Sequence, residues 1–173
     1  MNVASLAKHH DELCVLLKML NYKFKIIGIS ETRLKDNVTH TIDLDEYIFL
    51  DTKALTHAGG TALYVHNSIA DDIKLRTDLS VQIEGKAEST FIELKQSRKK
   101  NLICGCIYQH PNQSQEDFLE SDLEPLLHKL SKENKFTVLM GDFNINLLKY
   151  DCCQYSAAFH DLLASHSFQP LIL

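Results

Sequence analysis

One stretch constrains the fold more than any other: Val138-Leu139-Met140-Gly141-Asp142-Phe143-Asn144-Ile145-Asn146-Leu147. It opens as a short apolar run, the pattern of a buried β-strand. It stops at Gly141, which allows a sharp turn and a close backbone approach. Asp142 and Asn144 follow two positions apart, and side chains at i and i+2 of an extended segment share a face. A carboxylate and a carboxamide therefore stand together at a strand's carboxyl end, where open α/β sheets place ligands. Asp142 can take a proton or bind a hard cation. Asn144 offers an oxygen and an NH2 to a metal, a water or a phosphate oxygen. The same two residues also suit an Asx turn that merely caps a strand. This stretch alone leaves both readings open.

Further strand ends repeat the pattern. Ile26, Ile27 and Ile29 with Gly28 read as a strand buried on both faces, and it ends at Ser30-Glu31-Thr32-Arg33. Glu31 thus sits just beyond a strand, as Asp142 does, although a solvated loop acid is the ordinary fate of a glutamate. Leu102 to Tyr108 is a strongly apolar strand that runs into Gln109-His110-Pro111-Asn112, where the proline stops it. Tyr108 closes that strand with a polar group.

The remaining segments supply a frame. Leu6 to Leu20 is expected to be a helix, with Leu13, Leu16, Leu17 and Leu20 on one apolar stripe. Strands are expected at Tyr47–Leu50, Thr61–Val65, Val81–Glu84 and Thr90–Leu94. Gly59-Gly60 reads as a hairpin turn rather than a phosphate cradle. Arg98, Lys99 and Lys100 form the only basic cluster and read as a solvated hairpin tip. Ser114-x-x-Asp117 resembles a helix start. A leucine stripe follows through Leu130, with Pro125 kinking that helix or beginning a second one. Phe159, Leu162 and Leu163 mark a last helix, and the apolar ending Gln169–Leu173 reads as a strand cut in its middle.

Composition narrows the function. A chain of 173 residues with 45% hydrophobic residues is one domain with a real core. No apolar run approaches membrane-spanning length, and the N-terminus is no secretory signal. The five cysteines match neither a zinc site nor a disulfide framework, which points to a reducing, intracellular compartment. A net charge of -5 argues against tight, charge-driven nucleic-acid binding. It does not exclude a nuclease, because acids around a bound cation lower the net charge while the cation attracts phosphate locally.

Taken in order, Ile-Ser-Glu-Thr-Arg-Leu, Gly-Gly-Thr-Ala-Leu-Tyr-Val, Ile-Tyr-Gln-His-Pro-Asn and Met-Gly-Asp-Phe-Asn-Ile-Asn resemble the endonuclease/exonuclease/phosphatase superfamily. More narrowly they resemble the endonuclease domain of non-LTR retrotransposons. The resemblance covers nearly the whole chain. It implies a four-layer α/β sandwich of two mixed β-sheets packed face to face and flanked by helices. The chain is then one incomplete domain over 1–173, lacking the first and last strands. It implies phosphodiester hydrolysis with Mg²⁺ or Mn²⁺ on a DNA substrate. By position, Glu31 resembles the metal-binding glutamate and Asp142 the aspartate that orients or deprotonates the attacking water. Asn144 resembles the asparagine that holds the scissile phosphate, and Tyr108 the tyrosine that hydrogen-bonds it. Asn2 falls where the family places an asparagine after its first strand, on the metal side of the site.

The departures are as specific as the matches. The family's closing Ser-Asp-His segment has no counterpart, and neither His160 nor His166 stands in such a motif. Gln109 replaces an arginine common after the tyrosine, which removes a phosphate-pairing charge. The resemblance implies a nuclear location for a functional nuclease and continuity with a reverse transcriptase in a parent reading frame. Two alternatives keep the fold: an inactive remnant serving as a binding module, and an esterase of phosphoinositides or other small phosphoesters.

Overall fold

The computed structural model describes residues 1–36, 42–111 and 115–171. Part of the loop expected over Lys35–Asp45, together with Asn112, Ser114, Ile172 and Leu173, lies outside the described residues.

Two sheets form the centre. The first has the order β1-β3-β2, from β1 (Ile26–Ser30), β2 (Tyr47–Thr52) and β3 (Thr61–His66), all antiparallel. Asn2 adds a parallel bridge to Ser30 at its margin, and Met1 donates its amine to Gly28 O at 2.7 Å. The second sheet is mixed. It runs β4 (Ile73–Leu75), β6 (Ala87–Leu94), β7 (Leu102–Gln109) and β8 (Phe136–Asp142), with β5 (Gln82–Ile83) also paired to β6. Only β7 and β8 run parallel, joined by a helical crossover, as parallel strands require.

The layers follow from which side chains each strand turns inward. Leu63 and Val65 meet Ile92, Cys104 and Cys106 between the sheets. Ile27, Ile29 and Tyr64 face outward under α1 (Leu6–Leu20). On the far side, Phe91, Ile103 and Ile107 pack beneath a second helical layer. That layer is α2 (Gln115–Asp117), a π-helical turn (Phe118–Leu123), α3 (Glu124–Lys132) and α4 (Gln154–Ser165). The result is the four-layer sandwich the sequence implies. Pro125 stands at the start of α3, directly after the π-helical turn, within a helical run unbroken from Gln115 to Lys132.

Two expectations change. The stripe on α1 is Leu6, Leu13 and Leu17, while Leu16 and Leu20 face solvent. His9 leaves helical geometry and rotates the later turns of the helix. The strand opening at Phe136 is not buried: β8 is an edge strand, paired only with β7 among the described residues. Phe136 is 59% exposed and Val138 37%. Both lie on the face that Met140 turns toward the other sheet, so the sandwich is open along this edge. An apolar, unpaired edge is a template for association. Size-exclusion chromatography is expected to show concentration-dependent association that Val138→Lys relieves. A monomer at every concentration would overturn this.

Candidate active site

The site is built where β1, β7 and β8 end and β6 begins. Tyr108 and Asp142 are opposite one another in the parallel β7/β8 register. Glu88 is opposite Tyr108 in the antiparallel β6/β7 register. Directly opposed residues project to one face, so the row Glu88, Tyr108, Asp142 faces the slot between the sheets.

Gly141 makes the last step possible. Its φ is +134°, and a Cβ there would lie 1.8 Å from Ile107 O. No side chain fits, so β8 presses close to β7 immediately before Asp142. Gly141→Ala is expected to cost about 2–3 kcal/mol, read as a lower urea midpoint. An unchanged midpoint would show that β8 shifts freely.

Asp142 is bonded through both oxygens. Oδ2 accepts from Asn2 Nδ2 at 2.7 Å and Oδ1 from the Asn144 backbone N–H at 2.9 Å. The second bond is the Asx turn. Asn144 is left-handed (φ 50°), not extended, and its Nδ2 donates to Gln109 O at 2.5 Å. The carboxamide therefore sits across β7 and β8 rather than beside Asp142 on one strand face. Asn2 also accepts from the Ala4 N–H at 3.0 Å, which fixes its amide plane.

Tyr108 is buried, and its phenol is pushed up to about 12, first by burial and then by the charges of Glu31, Asp142 and Glu88. It stays protonated near neutral pH, so it can serve only as a neutral hydrogen-bonding group. Glu31 enters the site through this field. Its carboxylate is held by Arg33, with Nε at 3.1 Å and Nη2 on the same oxygen. Both residues have positive φ, 58° and 54°, which folds the two side chains onto each other. Asn2, Tyr108, Asp142 and Asn144 are thus joined by direct bonds or strand pairing, whereas Glu31 reaches them only electrostatically. Among the described residues no three His, Cys, Asp or Glu side chains gather as a metal site.

Glu88 and His110 were not singled out as site residues by sequence. Expecting the strand to start at Thr90 hid Glu88, because β6 begins at Ala87. Gly59-Gly60 does lie in the β2–β3 hairpin, and both residues are buried against Glu88 and Thr32. Arg98, Lys99 and Lys100 are exposed at the β6–β7 tip, the opposite end of β7 from Tyr108.

No protein-family description and no curated protein matches the chain. Solved structures do. D. rerio TDP2 complexed with single-strand DNA product is similar at a TM-score of 0.54 and 15% identity, over 96% of this chain and 60% of that one. A humanized D. rerio TDP2 gives 0.55 and 13%, over 99% and 66%. The 3′ phosphatase NExo from Neisseria, bound to product DNA hairpin, gives 0.62 and 16%, over 94% and 68%. The chain spans about two thirds or less of those chains. At such identities the likeness is one of fold. Among the described residues no helix is long and apolar enough to cross a membrane.

Proposed function

We propose that this chain is the nuclease portion of a divalent-metal-dependent phosphodiester hydrolase acting on DNA, of the kind carried by non-LTR retrotransposons. One observation supports it above the rest. Asn2, Tyr108, Asp142 and Asn144, from three separate segments, are tied together at one end of the sandwich beside Glu31. The fold-sharing TDP2 and NExo structures, both holding DNA products, support the substrate class.

The roles follow from the atoms. Asp142, fixed by two donors, accepts a proton from the attacking water. The Tyr108 phenol and the N–H of the Asn144 amide that Gln109 O leaves over are neutral donors, the group type that stabilises charge developing on a phosphate in the transition state. The donor set suits Mg²⁺ or Mn²⁺: Glu31 supplies a carboxylate and Asn2 an amide oxygen, and such ions take one or two carboxylates plus waters. The Arg33 guanidinium now occupies one Glu31 oxygen, so an ion would have to displace it. When bound, the ion supplies neutralisation of phosphate charge. Glu31 and Asn2 would hold it, with Arg33 released from Glu31.

The Glu31–Arg33 pair also favours a second reading, a remnant whose metal carboxylate has been taken by its own arginine. Supercoiled-plasmid nicking separates the two. Metal-dependent nicking that EDTA stops and Asp142→Ala removes supports the enzyme. No nicking with either ion, and no Mn²⁺ binding by electron paramagnetic resonance, would sink it. The retroelement origin, and a nuclear place of action with it, rests on the motifs. Coding sequence beyond Leu173 that lacks a reverse transcriptase would overturn that origin.

A further inference from the structure

The proposed chemistry leaves one fully buried carboxylate unused. Glu88 is 0% exposed and stands opposite Tyr108. Its oxygens lie 2.9 and 3.2 Å from His110 Nε2, and the backbone N–H groups of Gly60 and Leu55 donate to it. The His110 ring meets the Tyr108 ring edge-on, with centroids 5.0 Å apart. The loop presses on the carboxylate so closely that a Cβ at Gly59 would lie 2.6 Å from Oε1. The carbonyls of Gly59 and Gly60 in turn accept from the N–H groups of Arg33 (2.9 Å) and Thr32 (3.1 Å), in the turn that carries Glu31.

A contiguous path therefore runs from Tyr108 through His110 and Glu88 to the glycine loop and the Glu31 turn. An apolar pair of the same shape would fill this space without desolvating a carboxylate. What the polar pair adds is direction. Its hydrogen bonds fix the imidazole plane and the loop at once, where apolar packing fixes only volume.

We infer that Glu88 and His110 are a positioning pair, which orients the Tyr108 ring and holds the loop that seats Glu31. The inference rests on the phosphoesterase reading for what is positioned, not for the geometry. Neither residue touches the reacting atoms. Glu88 works through His110 and the Gly59-Gly60 backbone, much as outer carboxylates orient ligating groups in metal sites.

The test pairs nicking kinetics with carbon-13 NMR of labelled tyrosine rings. It uses Glu88→Gln, which keeps volume and loses charge, and His110→Phe, which keeps a ring and loses its bonds. The Tyr108 signal is assigned by its loss in Tyr108→Phe. It is expected to move in both variants, and Glu88→Asp is expected to recover part of the shift. In nicking, kcat should fall on the order of 10- to 100-fold with KM nearly unchanged. Most of that loss should vanish when the change is made in a Tyr108→Phe background, because coupled residues are not additive. An unmoved tyrosine signal, or the same loss in both backgrounds, would overturn the inference. If wild type nicks nothing and binds no Mn²⁺, the phosphoesterase reading fails, and the tyrosine signal still decides the positioning. Cooperative melting qualifies each variant, with Glu88→Asp as the fallback.

Discussion

Asp142→Ala is expected to lower metal-dependent plasmid nicking by this chain on the order of 10²- to 10⁴-fold, the range attributed to a positioned general base. The structure makes the substitution nearly clean. Asp142 is partly exposed and accepts two hydrogen bonds, from Asn2 and from the Asn144 backbone. Losing them should cost no more than about 1–3 kcal/mol, so the variant stays folded. Asp142→Asn separates the two readings of this residue. Asparagine keeps an oxygen for the Asn144 N–H and preserves the turn, but it cannot accept a proton at neutral pH. If Asp142 is the base, both variants lose activity alike. If Asp142 merely caps β8, Asp142→Asn keeps activity within a few-fold of wild type while Asp142→Ala does not. Single-turnover nicking at saturating Mn²⁺ reads this directly. Melting curves confirm that any loss is chemical.

What was legible in the sequence divides along a physical line. Local signals carried well. A β-branched run names β1, a proline ends β7, and leucine spacing finds the helices, because each depends on neighbours a few positions away. Strand ends carrying Glu31, Tyr108 and Asp142 were legible for the same reason. Burial was less so. The run Val138-Leu139-Met140 reads as a core strand, yet β8 is an edge, and edge position depends on strand order, which no local pattern encodes. The Glu31–Arg33 bond was invisible because it requires two non-glycine residues at positive φ, which side-chain identity does not signal. Glu88 was lost to a boundary. Ala-Glu-Ser after Gly85-Lys86 looks like loop, and only the alternation Glu88, Thr90, Ile92 hints that the strand starts earlier. That alternation becomes persuasive once a site is known to lie at the strand's beginning.

Arg76→Ala is expected to cost about 3–5 kcal/mol of folding stability, the range for removing one partner of a buried charge cluster. Arg76 is buried, with its guanidinium divided among three carboxylates. Nε and Nη2 meet Asp78 at 2.8 Å, Nη1 meets Glu93 at 2.8 Å, and Nη2 also meets Glu133. Lys135 bridges Glu93 and Glu133 at 2.8 and 2.7 Å. These residues come from the segment after β4, from β6 and from the link between α3 and β8. One guanidinium thus clasps the second sheet to its helical layer. Removing it leaves three acids with two lysines, Lys129 and Lys135, and one of the acids, Glu93, is almost fully buried. The Arg76 bond, aided by Lys135, holds Glu133 down at about 2 from an ordinary 4.5, and the Arg76 bond holds Asp78 lower still. Depressed carboxylates stabilise the fold above their unfolded pKa, and that contribution disappears as pH falls through the folded one. For Glu133 the window lies between pH 4.5 and about 2, and the loss should be about 1–3 kcal/mol after solvent screening. The gap between wild type and Arg76→Ala should therefore narrow as pH drops through that window, because protonation removes the same attraction that the mutation does. Urea unfolding at pH 7 and at pH 3 measures both effects. A gap that stays constant with pH would show that Arg76 acts through packing of its stem and not through its charge. The cluster lies at the opposite end of β7 from Tyr108, so nicking per folded molecule should not change. A large loss there would mean that the two ends of the sheet are mechanically coupled.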